Sequence, residues 1–456
     1  MLLYNIMNMI LILMIILYNC NSLYIKKSKI TNIIRYCNSD PKSLRDNILT
    51  SNANTMNRVL TIGSLVSLIN LEISTPSSAG EGSVSGISLP RPSKRNHLYS
   101  IEMTDPPSLL PRTKVGELSA IKRLVNNDII IFGDHINSKQ DRELESSILS
   151  LLNDECRQVG KKIVIGLEMI EKDTVYQTAL DTYISNQKVP LEEADEILLS
   201  ATNWKNIWQG EYDTYLPLLH FARNNKIRLI AMGVAPALQK RVLENGLDAL
   251  VDSDRSKYVP DPAGFLDTVR KPGFQIYADK VIAASFQADL EIGAIPAKTN
   301  LENYFGNRIL VDEGIGSSAA TYVNDNPATT LVIVSKKERV IFGYGIQERI
   351  RRHLLLLKSL NKNNEESADD NGTNILDLEK KISSVLLNPT ASDSLSYTSQ
   401  LQLCLAYGEF LKDQKPLATF IWFSNDPAVK LLTRPKNPIS KEGDKPAGES
   451  SILKAF

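Results

Sequence analysis

Short β-branched apolar runs alternate with longer stretches of helical period through the middle of the chain. The sharpest run is Asp128–His135, where Ile129, Ile130, Ile131 and Phe132 stand between Asn126-Asn127-Asp128 and Gly133-Asp134. Its length and branching are those of a strand buried on both faces, and such strands belong to parallel sheets. Lys139–Cys156 then brings Leu144, Ile148, Leu151, Leu152 and Cys156 to one helical face, with charges expected opposite, and Ile163–Leu167 is a second strand ending at Glu168. Strand, helix, strand makes a βαβ unit, whose crossover is right-handed almost without exception.

The same pattern continues on both sides of this unit. Helices are predicted over Gly116–Leu124, Glu171–Asn186 and Leu191–Ala201, followed by one N-capped by Thr214 with Pro217 in its first turn. Ile227–Met232 is a third strand. Pro236 opens and Asn245-Gly246 closes a further helix with Leu238, Val242 and Leu243 inward. From Asp252 to Thr299, Pro260, Pro262, Pro272 and Pro296 interrupt the aromatic residues Phe265, Phe274, Tyr277 and Phe286, so this stretch reads as a long irregular connection of the kind that forms lids. Asn300–Tyr322 is helical despite Gly306, Gly314 and Gly316, Thr329–Val334 is a fourth strand, and a helix bearing Ile346, Ile350, Leu354 and Leu357 follows Gly343-Tyr344-Gly345. Asn361–Asn374 reads as an exposed polar loop, and two more helices with the apolar run Ala418–Phe423 finish the fold. The expected class is α/β: a mostly parallel sheet flanked by helices on both faces, with long helical insertions.

The first 79 residues have a different texture. An apolar run centred on Leu11–Leu17 has the length of a signal-peptide core and is too short to span a bilayer. A basic, hydroxylated stretch with Lys26, Lys27, Lys29, Arg35, Lys42 and Arg45 follows, which is the chemistry of a transit peptide. Val59–Leu71 is a second apolar segment, leading to Ser77-Ser78-Ala79-Gly80, a site suited to signal peptidase. The three signals in series lead to the expectation of a plastid acquired by secondary endosymbiosis, and beyond it the thylakoid lumen. Residues 80–96 read as a linker, 97–432 as one domain and 433–456 as a disordered tail.

Composition narrows the partners. With 456 residues and 43% hydrophobic content the chain can bury a proper core, and 52 basic against 52 acidic residues leave no net field to draw it to nucleic acid. Of four cysteines, Cys20 and Cys37 lie in the leader, and Cys156 and Cys404 lack the spacing of a zinc site or a disulfide framework.

His135 and Glu168 follow separate strands whose carboxyl ends share a rim, where ligands of open α/β sheets gather. A histidine and a carboxylate in one crevice can do acid/base work or hold a metal, although no third metal ligand is visible. Trp204, Trp208, Tyr212 and Tyr215 form an aromatic group that serves either as core or as the wall of a planar ligand. Gly343-Tyr344-Gly345 lacks the third glycine of a dinucleotide fingerprint, so no nucleotide cofactor is expected, though the helix start could attract an anion. Arg349, Arg351, Arg352 and His353 read as a solvated basic face.

At these residues the chain resembles the ChaN-like haem-binding domain of the Tiki, TraB and erythromycin-esterase superfamily, in its plastid form from plants and algae. The likeness spans about Asp105 to Phe423. It rests on Ile131-Phe-Gly-Asp-His135, Gly166-Leu-Glu-Met169, the segment from Asn203 to Pro217, Ile227–Gly233 with Pro236 and Gly246, Asp254–Tyr258, Asp312-Glu313, and Phe342–Ile346 with Arg349. The family's Gly-Glu-x-His pattern is altered, since His135 stands two residues past Gly133, Ser138-Lys139 replaces a further histidine pair, and Ser335-Lys336-Lys337-Glu338 follows the fourth strand where another histidine is usual. The resemblance implies haem held through a tyrosine phenolate, a ligand that favours ferric iron. Tyr212, Tyr215, Tyr304 and Tyr344 are the candidates, with Trp208 and His135 as further contacts.

The resemblance implies a plastid protein that binds haem or a related tetrapyrrole at the strand ends without catalysis. Two other readings stand beside it: a hydrolase using His135 and Glu168 on a carbonyl substrate, and a non-catalytic thylakoid structural or interaction factor. Peripheral association with the thylakoid membrane and a homodimer are compatible with each.

Overall fold

The computed structural model describes residues 97–101, 112–208, 210–364, 381–393, 402–407, 415–425, 427 and 430–432. The leader, the linker, residues 102–111, most of the 361–374 loop and the 433–456 tail lie outside these residues.

Six strands run parallel at the centre: β3 (Ile129–Asp134), β4 (Lys162–Glu171), β5 (Arg228–Gly233), β6 (Thr329–Lys336), β7 (Ile382–Leu387) and β11 (Phe420–Phe423). Two antiparallel strands, β1 (His97–Ile101) and β2 (Arg112–Lys114), extend one edge, giving the order β2-β1-β11-β7-β3-β6-β4-β5. Short pairs outside the main sheet involve β8 (Gln402–Cys404), β9 (Ala406–Tyr407), β10 (Lys415–Pro416) and β12 (Lys430–Leu432). Alternation along β3 sends Ile129 and Ile131 to one face and Ile130 and Phe132 to the other, and all four are fully buried.

Helices cover both faces, as the sequence predicts. On one face lie α1 (Glu117–Val125), α2 (Lys139–Gln158), α3 (Thr174–Ser185), α4 (Leu191–Ala201), α5 (Trp204–Ile207) and α6 (Tyr212–Asn224). The opposite face carries α7 (Pro236–Asn245), α8 (Asp252–Tyr258), α9 (Pro262–Arg270), α10 (Pro272–Tyr277), α11 (Ala283–Glu291), α12 (Leu301–Asp325) and α13 (Ile346–Asn364). Neighbouring strands β3 and β6 therefore send the chain away on opposite faces, β3 into α2 and β6 toward α13. The space between their carboxyl ends is a switch point, where an open sheet leaves room for a ligand.

Several expectations need correction. Asp252–Thr299 is helical: Pro262 and Pro272 are helix starts rather than breaks, and Phe265, Phe274, Tyr277 and Phe286 are core. Thr214 is not a cap, because the helix begins two residues earlier and Pro217 sits in its interior. Glu168 lies inside β4, which runs on to Glu171 through a bulge. In place of two C-terminal helices, the described residues after α13 hold strands, among them the central β7, whose Ser383 and Ser384 break an apolar reading. The charges of α2 do not all face solvent, and Asp141, Arg142 and Glu145 are buried. Nor are Arg349, Arg352 and His353 a solvated face, since they pack with the buried carboxylate of Glu313.

The glycines of α12 that weaken its helical propensity earn their place in packing. A Cβ on Gly316 would stand 2.3 Å from the Arg349 Cβ, so α12 and α13 touch only because that carbon is missing. Among the described residues, no helix is long and apolar enough to cross a membrane.

Candidate functional site

The switch point opens into a cleft of about 740 Å³, a volume in the range of small-ligand sites. One wall is the loop after β3, with Asp134, His135 and Ile136, and the facing wall is Lys336–Arg339 after β6. Val281, Ala284, Ala288, Ile292 and Ile295 give an apolar side, while α12 contributes Tyr304, Asn307 and Arg308.

His135 is placed by the start of α2. Ser138 caps that helix by accepting from the Asp141 N–H at 3.1 Å, which turns the Asp141 carboxylate back onto His135. Asp141 Oδ2 lies 2.8 Å from both the His135 backbone nitrogen and Nδ1, and Asn388 Nδ2 donates to Oδ1 at 2.7 Å. On the other side Nε2 lies 3.3 Å from Asp393, which also pairs with Lys337. Burial by itself would lower the imidazole pKa. The two carboxylate hydrogen bonds outweigh burial and the repulsion of Lys337, raising it to about 9. His135 is thus an imidazolium at neutral pH, able to give a proton and unable to take one.

The sign of the resulting pH dependence follows. A native pKa above the unfolded value adds stability that is complete below about 6.5 and disappears as pH rises through about 9. Denaturant titrations of wild type and His135→Gln should therefore differ by about 2–3 kcal/mol near pH 6 and converge by pH 10. A gap that persists unchanged at pH 10 would show that His135 acts through packing alone.

Glu168 is held differently. The β4 bulge releases its residue from the ladder beyond Leu167, and Gly233 allows this because a Cβ there would lie 2.2 Å from the Glu168 carbonyl oxygen. The carboxylate accepts from Ser335 Oγ, from the Lys336 backbone N–H at 3.0 Å and from Arg339 Nε at 2.8 Å. Burial would raise its pKa, but Arg339, Lys336 and these donors together lower it. Arg339 in turn donates to Asp312 at 2.8 Å. Glu168 does not line the cleft and makes no contact with His135. The structure sets the two groups on neighbouring loops, each occupied by its own partners.

Beneath His135, Arg142 Nη1 donates to Asp134 at 2.6 Å and to Glu145 at 2.7 and 2.9 Å, and its guanidinium carbon lies 4.0 Å from the Tyr215 ring centroid. Burial raises the pKa of both carboxyls against the pull of the one Arg142 cation, which favours their neutral forms.

Of the four tyrosines, only Tyr304 lines the cleft. Its hydroxyl donates to Asp289 at 2.7 Å, and burial raises its pKa. Tyr215 accepts from Trp208 Nε1 at 3.0 Å under the ring contacts of Trp204, and Tyr212 donates to the Asp195 carbonyl at 3.0 Å, so both belong to the aromatic core. Tyr344 meets Phe274 edge-on and lies tilted against Tyr277. Trp208 lies behind the facing wall, with Lys336 Nζ 4.8 Å above its ring. Among the described residues, no group of three or more His, Cys, Asp or Glu side chains could hold a metal ion. Sequence reasoning missed Asp141, Asp393, Arg142, Glu145, Arg308 and Arg339. The serine three residues before Asp141 was a readable cap signal, whereas Asp393 comes from a distant turn with none.

A parallel sheet with a ligand-sized cleft at its switch point defines an α/β ligand-site protein. The chain belongs to the family described as haem-binding uptake, Tiki superfamily, ChaN, whose model matches residues 120–350. The solved structure of cofacial haem binding to ChaN of Campylobacter jejuni is similar at 14% identity and TM-score 0.42, covering 72% of this chain and 97% of that one. An erythromycin esterase mutant in its open conformation is similar at 11% identity and TM-score 0.29, covering 59% and 72%. Protein RETICULATA-RELATED 5, chloroplastic, of Arabidopsis thaliana is 29% identical over 147 residues, which are 31% of this chain and 18% of that protein. The chain thus spans less than a fifth of the length of that relative.

Proposed function

We propose that this is a plastid protein whose switch-point cleft binds haem or a related tetrapyrrole without catalysing a reaction. The observation that carries this reading is the position of Tyr304: a phenol on the wall of a cleft with an apolar side, already hydrogen-bonded to a carboxylate. Those residues fit the group, because a phenol oxygen that loses its proton is a ligand for ferric iron, and Asp289 stands where that proton would go. Bound haem would supply the iron and an extended planar apolar surface. Tyr304 would hold the metal, Val281, Ala284 and Ile292 would cover the ring, and Asp289 would accept the phenol proton. Family membership supports the ligand class. The chloroplastic relative and the basic, hydroxylated leader support the compartment, a plastid of secondary-endosymbiosis type with the thylakoid lumen as the final address.

Titrating the chain with haemin should shift the Soret band to a saturable, stoichiometric end point. Tyr304→Phe, which keeps the ring and removes the ligand oxygen, should weaken binding at least tenfold, about 1.4 kcal/mol, and abolish the phenolate charge-transfer band. Uptake that the denatured chain matches would remove this function.

A further inference from the structure

One cation of the cleft, Arg308, lacks adequate partners. Arg308 is 6% exposed, and its Nε and Nη2 make no hydrogen bond. The nearest carboxylate oxygen to Nε, on Asp312, lies 4.0 Å away and is itself unpartnered. One helical residue earlier, Asn307 Oδ1 is also unpartnered. Lys336 also lines the cleft, but its ammonium lies over the Trp208 ring at 4.8 Å, behind the facing wall. Burial, with repulsion from Arg339 and Arg308, lowers its pKa against the attraction of Glu168 and Glu338. The remaining cations of the cleft are satisfied: Arg339 by Glu168 and Asp312, Lys337 by Asp393, and His135 by Asp141 and Asp393.

A buried guanidinium with idle donors is costly. Arg142 and Arg349 also carry two idle nitrogens, but of the three only Arg308 lines the cleft, where a ligand can complete it. The planar fork of an arginine matches a carboxylate. We infer that Arg308 forms a carboxylate-binding subsite, so that the cleft selects ligands carrying a free carboxylate over esterified or neutral relatives of the same shape. Arg308 lies one helical turn beyond Tyr304, so a carboxylate held there belongs to a ligand whose body occupies the apolar side of the cleft. The inference rests on the proposed tetrapyrrole reading for the identity of that body, and on the orphaned donors alone for the carboxylate.

The test uses the full chain with metal-free protoporphyrin IX and its dimethyl ester, which differ only at the carboxylates and offer no iron for coordination. The free acid should bind at least tenfold tighter than the ester to the wild type. Arg308→Gln should weaken the acid severalfold or more while leaving the ester unchanged. Equal binding of acid and ester to the wild type would overturn the subsite and leave the tetrapyrrole function standing, and this comparison needs no variant to fold. If neither porphyrin binds, the haemin titration decides the tetrapyrrole function and a calorimetric titration with succinate decides the subsite. Succinate binding lost in Arg308→Gln would uphold it, and no succinate binding would end it.

Discussion

Glu168→Ala should destabilise the protein by about 3–5 kcal/mol, since removing one member of a buried, hydrogen-bonded ion pair strands the other. Arg339 would remain buried with Asp312 as its carboxylate partner, and Ser335 Oγ and the Lys336 N–H would lose their acceptor. Those contacts join the end of β4, the end of β6 and helix α12, so the loss is felt where the cleft wall is built. The carboxylate pKa is depressed in the fold, so this contribution is complete above the ordinary glutamate value and is lost as pH falls through the native one. Chemical denaturation at pH 7 and in a series descending below pH 4.5 reads both effects. An alanine variant as stable as wild type at pH 7 would return Glu168 to the list of reactive groups, because only an idle carboxylate can be removed without cost.

Arg142→Met should be as damaging, at about 3–5 kcal/mol, whereas Glu145→Gln should stay within about 1 kcal/mol of wild type at pH 7. The asymmetry comes from the direction in which burial moves both acids. Asp134 and Glu145 share one guanidinium nitrogen in a fully buried site, and burial raises both carboxyls, most of all Glu145. A glutamine imitates the neutral acid that burial favours, while a methionine leaves two carboxyls with no cation and uncovers the face of Tyr215. Native carboxyls that hold a proton the unfolded chain would release make stability fall as pH rises, the reverse of Glu168. Melting curves of the two variants compared side by side separate the alternatives. A large loss in Glu145→Gln would mean that Glu145 is ionised and that Asp134 carries the proton.

Local pattern was enough for much of the scaffold. Ile129–Phe132 could only be a doubly buried strand, and Leu144, Ile148 and Leu152 could only be one face of a helix, because burial of a strand or a helix face imposes its own period on the chain. Pro236 and Gly246 marked α7 because the missing N–H and a φ of 76° suit those two ends. Where charged residues enter the core the pattern misleads. Arg142, Glu145, Arg349 and His353 read as surface, and each is buried because a partner brought from elsewhere neutralises it or bonds to it. The prolines of Asp252–Thr299 misled in the same way, as a proline begins a helix as readily as it ends one.

The sequence by itself determined four of the parallel strands, most of the helices on the two faces and the rim on which His135 stands, since each follows from neighbours within a few residues. Only the tertiary structure decided what that rim can do. It made His135 a cation by bringing Asp141 and Asp393 to its two nitrogens, turned Glu168 away to Arg339, and chose Tyr304 among four tyrosines to face the cleft. Asp393 lies 258 residues from His135, and Arg339 lies 171 from Glu168. Protonation and exposure depend on charges and burial at distances of a few ångströms, and the order of residues along a chain does not encode which remote segments come that close.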